Sequence, residues 1–170
     1  METFIHLTDL LDLEKSDQAT YRKDFDCQEP SLNDYLHKHA RKQSEGDISQ
    51  THVLFDHDKK KIISYYSTCN YSVQKESVAS KFGIPVKQVP ATLIGRLAVD
   101  KTYKGQGYGA ITLVQALKQI RTMSKISAIK IVVVDALNAS AVSFYKNFGF
   151  IEFDDDPMRL FINTVMIDDL

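Results

Sequence analysis

The chain has 170 residues, 44% of them hydrophobic, and 21 Lys plus Arg against 22 Asp plus Glu. One core and a single domain spanning 1–170 are expected at that length, and the near-balanced charge excludes a whole-molecule field that would draw in a polyanion, so a nucleic-acid partner would need a local basic patch. No run approaches membrane-spanning length, METFIHLTDLLDLEKSDQ is unlike a secretory leader, and Cys27 and Cys69 form no C-x-x-C pair; a cytoplasmic chain with no disulfide framework and no metal centre is expected.

In chain order, TFIHL reads as a strand. SLNDYLHKHARKQSEGD opens on Ser31 with Asp34 three residues on, a variant capping box, and repeats apolar positions at Leu32, Tyr35, Leu36 and Ala40, which predicts a helix. THVLF and KIISYYSTCNYSV flank DHDKK, an antiparallel hairpin whose charged run at 56 to 61 reads as a solvated tip. QKESVASKFGIPVKQVP, broken by Pro85 and Pro90, reads as a helical turn and a connection. ATLIGRLAVD is then a strand, 107 to 122 a helix, AIKIVVVDAL a buried strand, NASAVSFYKNF a short helix capped by Asn138 and closed by Gly149, and MRLFINTVMI a last strand. A hairpin followed by a parallel crossover predicts an α/β (α+β) chain with a mixed, mostly antiparallel sheet and flanking helices. The five histidines show no metal spacing, and His37 and His39, two apart, point to different sides of their helix and read as surface positions.

The segment KGQGYGA carries glycines at 105, 107 and 109 between a strand and a helix whose apolar stripe reads as Ala110, Ile111, Val114 and Leu117, with Thr112, Gln115, Gln119 and Thr122 opposite. Amides at a helix start have no intrahelical partner, the helix dipole adds positive potential, and glycine lets an anion approach the main chain, so phosphate is the natural ligand. The Walker pattern does not fit GQGYGAIT, and Ala110 stands where the dinucleotide fingerprint needs its last glycine. Taken alone, the cluster is equally a tight turn with no ligand.

Lys104, Gly105, Gln106, Gly107, Tyr108 and Gly109 resemble the [QR]-x-x-G-x-[GA] pattern of the GCN5-related N-acetyltransferase (GNAT) family, with Lys104 in place of Gln or Arg. NASAVSFYKNFGF resembles the same family's N-x-x-A-x-x-x-Y-x-x-x-G-F pattern at Asn138, Ala141, Tyr145, Gly149 and Phe150. The resemblance implies a GNAT fold and acetyl-CoA (coenzyme A) as cofactor. It implies a diphosphate cradle from Lys104 to Ala110, a carbonyl-polarising amide on the strand around Leu97, Ala98 and Val99, Asn138 among the cofactor residues, and Tyr145 as the acid that protonates sulfur. The alternative for Tyr145 is a core-facing aromatic of an amphipathic helix. No Asp, Glu or His precedes Asp100 in TLIGRLAV and none occurs in IISYYST. An acceptor amine of low pKa is therefore expected, because a lysine amine near 10.4 would need a base where α-amines sit near 8 or below.

FDCQEPSLNDYLHKHA, SYYS, LIGRLAVD and DPMRL are further similar to the GNAT toxins of type II toxin–antitoxin pairs, which acetylate aminoacyl-tRNA; Ser64 stands where that branch usually has Gly. That branch implies aminoacyl-tRNA as substrate and a ribbon-helix-helix antitoxin as partner, and a homodimer is compatible with it. An RNA surface would draw on Arg96, Lys38, Arg41 and Lys42 as substrate contacts, with Arg22, Lys101, Lys104 and Lys146 beside them; ordinary solvated charges are the alternative. A small-molecule or protein amine as acceptor, and an acyl-CoA-binding module without turnover, stay open as other readings.

Overall fold

A computed structural model of the chain describes residues 1–13, 18–78 and 86–170. Seven strands form one mixed sheet in the order β1-β2-β3-β4-β5-β7-β6, in which the β4–β5 pair is parallel and the other described ladders are antiparallel. Two compact units are distinguished, one of Met1–Cys69 with Arg96–Leu113 and one of Asn70–Gly95 with Val114–Leu170. Among the described residues no helix is long and apolar enough to cross a membrane.

In the first unit, β1 (Glu2–His6) pairs with β2 (Gln50–Asp56), which pairs with the start of β3 (Lys61–Gln74). Leu54 lies opposite Ser64 and Phe55 opposite Ile62, so Ile63 is an extra residue in β3, and its carbonyl accepts the Asp100 amide at 2.8 Å. The run Val53, Leu54, Phe55 does not alternate in polarity because both faces are covered. Val53, Phe55 and Tyr65 pack with Leu7, Leu10, Tyr21, Phe25, Tyr35, Leu36 and Ala40, whereas Leu54 and Ile63 pack with Tyr103, Val99 and Tyr108. Each fully buried Val, Leu, Ile or Phe among them contributes about 1.5–3 kcal/mol. The first cluster comes largely from α1 (Leu7–Leu13), α2 (Gln18–Lys23), α3 (Pro30–Asp34), a π-turn at Tyr35–His39 and α4 (Ala40–Glu45).

Two features of this unit differ from the pattern expected of them. The helix begins at Pro30 behind Glu29, with no side-chain cap, so Ser31 is not a cap; its hydroxyl donates to Glu29 Oε1 at 3.1 Å. Proline pre-sets the first helical φ and starts the helix one residue early. In the hairpin tip, Asp56 is 4% exposed instead of solvated, because its Oδ1 accepts the amides of Asp58 and Lys59 at 3.0 and 3.2 Å.

In the second unit, β4 (Gln88–Val99) pairs Ala91 through Ile94 with Ile131 through Val134 of β5 (Ile131–Asp135). The link between these parallel strands contains α5 (Tyr108–Ser124). β5 also pairs with β7 (Arg159–Asn163), and a two-residue β6 (Ile151–Glu152), too short to show a pattern, pairs with β7. The last strand stops at Asn163 instead of running to Ile167. Asn163 Oδ1 accepts the Val165 amide at 3.3 Å and starts a 3-10 turn over Thr164–Asp169. A 3-10 turn at Lys75–Ser77 matches the expected helical turn, while the connection containing Pro85 lies outside the described residues. α6 (Ala139–Lys146) is capped as expected, Asn138 Oδ1 accepting the Ala141 amide at 2.9 Å. It closes with Gly149 at φ +84°, the Gly149 amide bonding to the Lys146 carbonyl and that of Phe150 to Tyr145, a Schellman turn that needs the left-handed residue.

His52 lies stacked on Tyr66, ring centroids 5.2 Å apart, with the His6 ring edge-on at 4.9 Å. Burial, reinforced by His6, lowers its pKa from 6.5 to about 4. An unfolded chain takes up this proton below 6.5 and the folded chain only near 4, so the contribution is present above 6.5 and lost as pH falls through that window. We expect His52→Phe to narrow the gap in urea midpoint between about pH 7.5 and about pH 5; an unchanged gap would remove His52 from the acid response.

Candidate functional site

β4 delivers the chain to Asp100, which is buried and does two jobs. Its Oδ1 accepts the amide and hydroxyl of Thr102 at 2.9 and 2.6 Å, capping the 3-10 turn Lys101–Tyr103, and its Oδ2 accepts the Asp26 amide at 2.9 Å. The Lys101 amide donates to the Asp26 carbonyl at 2.8 Å and its ammonium to Asp26 Oδ2 at 2.9 Å. The Gln28 amide, then Lys101 and Asn33, hold the Asp26 carboxyl well below the usual carboxylate range. Lys104 Nζ donates to the Cys27 carbonyl at 2.7 Å and to Gln28 Oε1 at 3.2 Å. Residues 26–28 thus buttress the stretch before the glycines, a role that no local pattern announces.

Gly105 and Gly107 have φ +76° and +85°, and nothing lies within 4 Å of where a Cβ would stand on either. Gln106 Nε2 donates back to the Thr102 carbonyl at 3.0 Å, so its side chain braces the turn. α5 follows directly, and the Ile111 amide bonds to the Gly107 carbonyl at 3.1 Å. The amides of Tyr108, Gly109 and Ala110 precede that bond and stand at the positive end of the helix dipole. Tyr108 leans on Tyr103 edge-to-face at 5.5 Å and its hydroxyl donates to Glu2 Oε1 at 2.8 Å.

The helix is rotated relative to the expected stripe: Ile111 is 49% exposed and Thr112 fully buried. Thr112 can be inside because its hydroxyl donates to the Tyr108 carbonyl and accepts from Ser64 Oγ, both at 2.6 Å. Satisfied polar groups bury at little cost. On β4, Ala98 is buried and Leu97 and Val99 are half-buried. The β5 ladder ends at Ile94, so along that edge the main chain of 97–99 has no ladder partner among the described residues.

The second unit carries Asn138 and Tyr145. Asn138 Oδ1 is engaged in capping α6. Tyr145 is 8% exposed, its ring held by Phe144 at 5.3 Å and Phe150 at 5.5 Å, and its hydroxyl has no hydrogen-bond partner among the described residues. Burial, with the charge of Asp135 second, pushes its pKa up to about 12.

Of the basic candidates, Lys38 pairs with Asp34 at 2.8 Å, Arg41 with Glu45 at 2.6 Å, Lys101 with Asp26 and Lys146 with Glu152 at 2.7 Å. These exposed pairs contribute little to stability. Lys42 is exposed with no ion pair among the described residues, and Arg96 lies over the Tyr35 ring at 3.9 Å. Arg22 donates to the His37 carbonyl at 3.2 Å. His37 is half-buried, its Nε2 donating to the Phe25 carbonyl at 2.8 Å, and so is more than a surface residue. Among the described residues no three His, Cys, Asp or Glu side chains are placed to hold a metal ion. Tyr65 and Tyr66, the hydroxyls of the SYYS run, have pKa values raised by burial and are poor bases.

The model of the acetyltransferase (GNAT) family matches residues 17–150. The chain belongs to that family. As a GNAT chain it is similar to the tRNA-acetylating toxin of Mycobacterium tuberculosis, 28% identical over 139 residues that cover 81% of this chain and 82% of the relative. It is also similar to AtaT complexed with acetyl-methionyl-tRNAfMet, at TM-score 0.86 and 29% identity over 99% of this chain and 98% of that one. A tyrosine-to-phenylalanine mutant of the AtaT toxin, bound to the C-terminus of the antitoxin AtaR and acetyl-CoA, is similar at TM-score 0.78 and 29% identity over 98% and 96% of the two chains.

Proposed function

We propose that this GNAT chain, acting as one domain in the cytoplasm, transfers an acetyl group from acetyl-CoA to the α-amine of aminoacyl-tRNA, and that a ribbon-helix-helix antitoxin restrains it. The observation that carries the reading is the open glycine turn: two positive-φ glycines with free space above them, leading into the unpartnered amides of α5. That cradle fits a diphosphate, since its donors are main-chain N–H groups and no side chain competes for the space. Bound acetyl-CoA supplies a thioester-activated acetyl group. Residues 104–110 hold its diphosphate through main-chain amides, with Lys104 a buttress instead of a direct contact because its ammonium is engaged by residues 27 and 28. The free main-chain edge at Leu97, Ala98 and Val99 offers the amide that polarises the carbonyl. Tyr145 holds a proton at Oη for the departing sulfur. No carboxylate or histidine lies in the β4 segment 91–99, which agrees with an acceptor amine whose own pKa is low.

Labelled acetyl-CoA incubated with charged and with deacylated tRNA tests this. Label should enter only the charged pool and leave with the aminoacyl-adenosine on nuclease digestion; equal labelling of deacylated tRNA, or none of either, contradicts it. A second reading, the same chemistry on a small amine, is favoured by the net charge of −1 and by the ion pairs on Lys38 and Arg41. Salt separates the two. A KM for the acceptor that rises at least about tenfold between about 50 and about 200 mM salt supports tRNA, and one that scarcely moves supports the small amine.

A further inference from the structure

Arg96 is a half-buried guanidinium whose five N–H donors have no carboxylate or other hydrogen-bond partner among the described residues. It is nevertheless fixed. Its carbon Cζ sits 3.9 Å from the centroid of the Tyr35 ring, a stacked cation–π contact. The platform is itself fixed: Tyr35 is buried, its hydroxyl lies 2.9 Å from both Ser49 Oγ and Thr51 Oγ1, and its ring stacks on Tyr65, whose own hydroxyl donates to the Leu32 carbonyl at 2.8 Å. Ser49 in turn donates to Gln43 Oε1 at 3.0 Å.

The backbone beneath is unusual in the same place. Tyr35 opens the π-turn, where the Ala40 amide bonds to the Tyr35 carbonyl, and Arg22 donates to the His37 carbonyl of the same turn at 3.2 Å. Single π-turns inside helices cluster at functional sites, because they re-aim a side chain without ending the helix. Here the re-aimed side chain is the arginine's platform.

Strand alternation tells which side Arg96 serves. Ala98, two residues on, packs into the cluster that contains Tyr35 and Leu36, while Val99 packs with Tyr108 at the start of α5. Arg96 therefore projects to the helical face that carries Tyr35, opposite the face that carries the glycine turn, so its donors are not those that meet the cofactor's diphosphate.

We propose that Arg96, posed by Tyr35, is a phosphodiester clamp for the acceptor: it grips the phosphodiester next to the esterified terminal adenosine, and Tyr35 is its positioning residue. The planar fork matches two phosphate oxygens, and a stacked guanidinium loses little freedom on binding them. The inference rests on the reading of the chain as an aminoacyl-tRNA acetyltransferase.

The test compares two acceptors bearing the same amino acid, aminoacyl-tRNA and the aminoacyl ester of adenosine alone, which has no phosphodiester. The wild-type preference for the first, as a ratio of kcat/KM, should fall about tenfold or more in Arg96→Lys, which keeps the charge but loses the fork. Tyr35→Phe keeps the ring and loses the hydroxyl anchor; it should lower the ratio about threefold, through KM for the charged tRNA more than through kcat. KM for acetyl-CoA should stay put in both. An unchanged ratio in both variants, even with lowered melting temperatures, makes the pair merely structural and overturns the clamp. A rise in KM for acetyl-CoA in place of the ratio change reassigns Arg96 to the cofactor and also overturns it. Equal wild-type kcat/KM on the two acceptors sinks the clamp and leaves the proposed function standing; acetylation of neither sinks both.

Discussion

Tyr145→Phe is expected to lower kcat by roughly 10²–10⁴-fold while KM for acetyl-CoA and the melting temperature change little. The ring supplies the packing, against Phe144 and Phe150, and phenylalanine keeps it. The hydroxyl has no hydrogen-bond partner among the described residues, so removing it leaves no buried group stranded. Its pKa, pushed up to about 12 by burial, keeps the proton in place throughout the working pH range, ready for a leaving thiolate but closed to service as a base. Steady-state kinetics with thermal melting check this. A mutant with near-normal kcat would return Tyr145 to the role of a core aromatic, and one that fails to fold would show the hydroxyl to be structural.

Gly107→Val is the second large effect, and it falls on binding. The φ of +85° is left-handed, where a residue with a Cβ costs about 1–2 kcal/mol, so the melting temperature should drop by about 2–8 °C. Nothing in the chain lies within 4 Å of the added carbon, so no clash compounds that strain. In the proposed cradle the same free space admits the diphosphate to the amides, and filling it should raise the Kd for acetyl-CoA about 10- to 100-fold. Gly107→Ala shares the strain but fills less of the space, and should lose less affinity for a similar loss of stability. Calorimetric titration of both variants separates the two costs. Equal affinities for wild type and Gly107→Val would place the cofactor elsewhere.

The parts of the molecule that sequence makes legible are those encoded in short range. The glycine spacing, the Asn138 cap, the Gly149 closure and the β4–α5–β5 order each depend on residues within a few positions of one another, and each is found where expected. Binary patterning failed where a polar side chain was paid for by a distant partner. Thr112 turned inward because Ser64, 48 residues away, meets its hydroxyl, and Ile111 turned outward with it. Asp56 went inside because two turn amides close on its carboxylate. The Lys104 tether to residues 27 and 28 and the Tyr35 platform under Arg96 join segments 61 to 77 residues apart, and no local signal marks either. The Tyr35 periodicity correctly placed it in the core but could not say that the face of its ring would carry an arginine.

The proposed function depends most on one physical element, the run of main-chain N–H groups from 104 to 110. Amide NMR spectra recorded while acetyl-CoA is titrated in test it residue by residue. The account predicts that the signals of Gly105, Gly107, Gly109 and Ala110 move most and saturate together, because hydrogen-bonding to an anion deshields the donor proton. If those signals stay still while others in the chain shift, the cofactor is held by a different part of the molecule and the turn is only a turn.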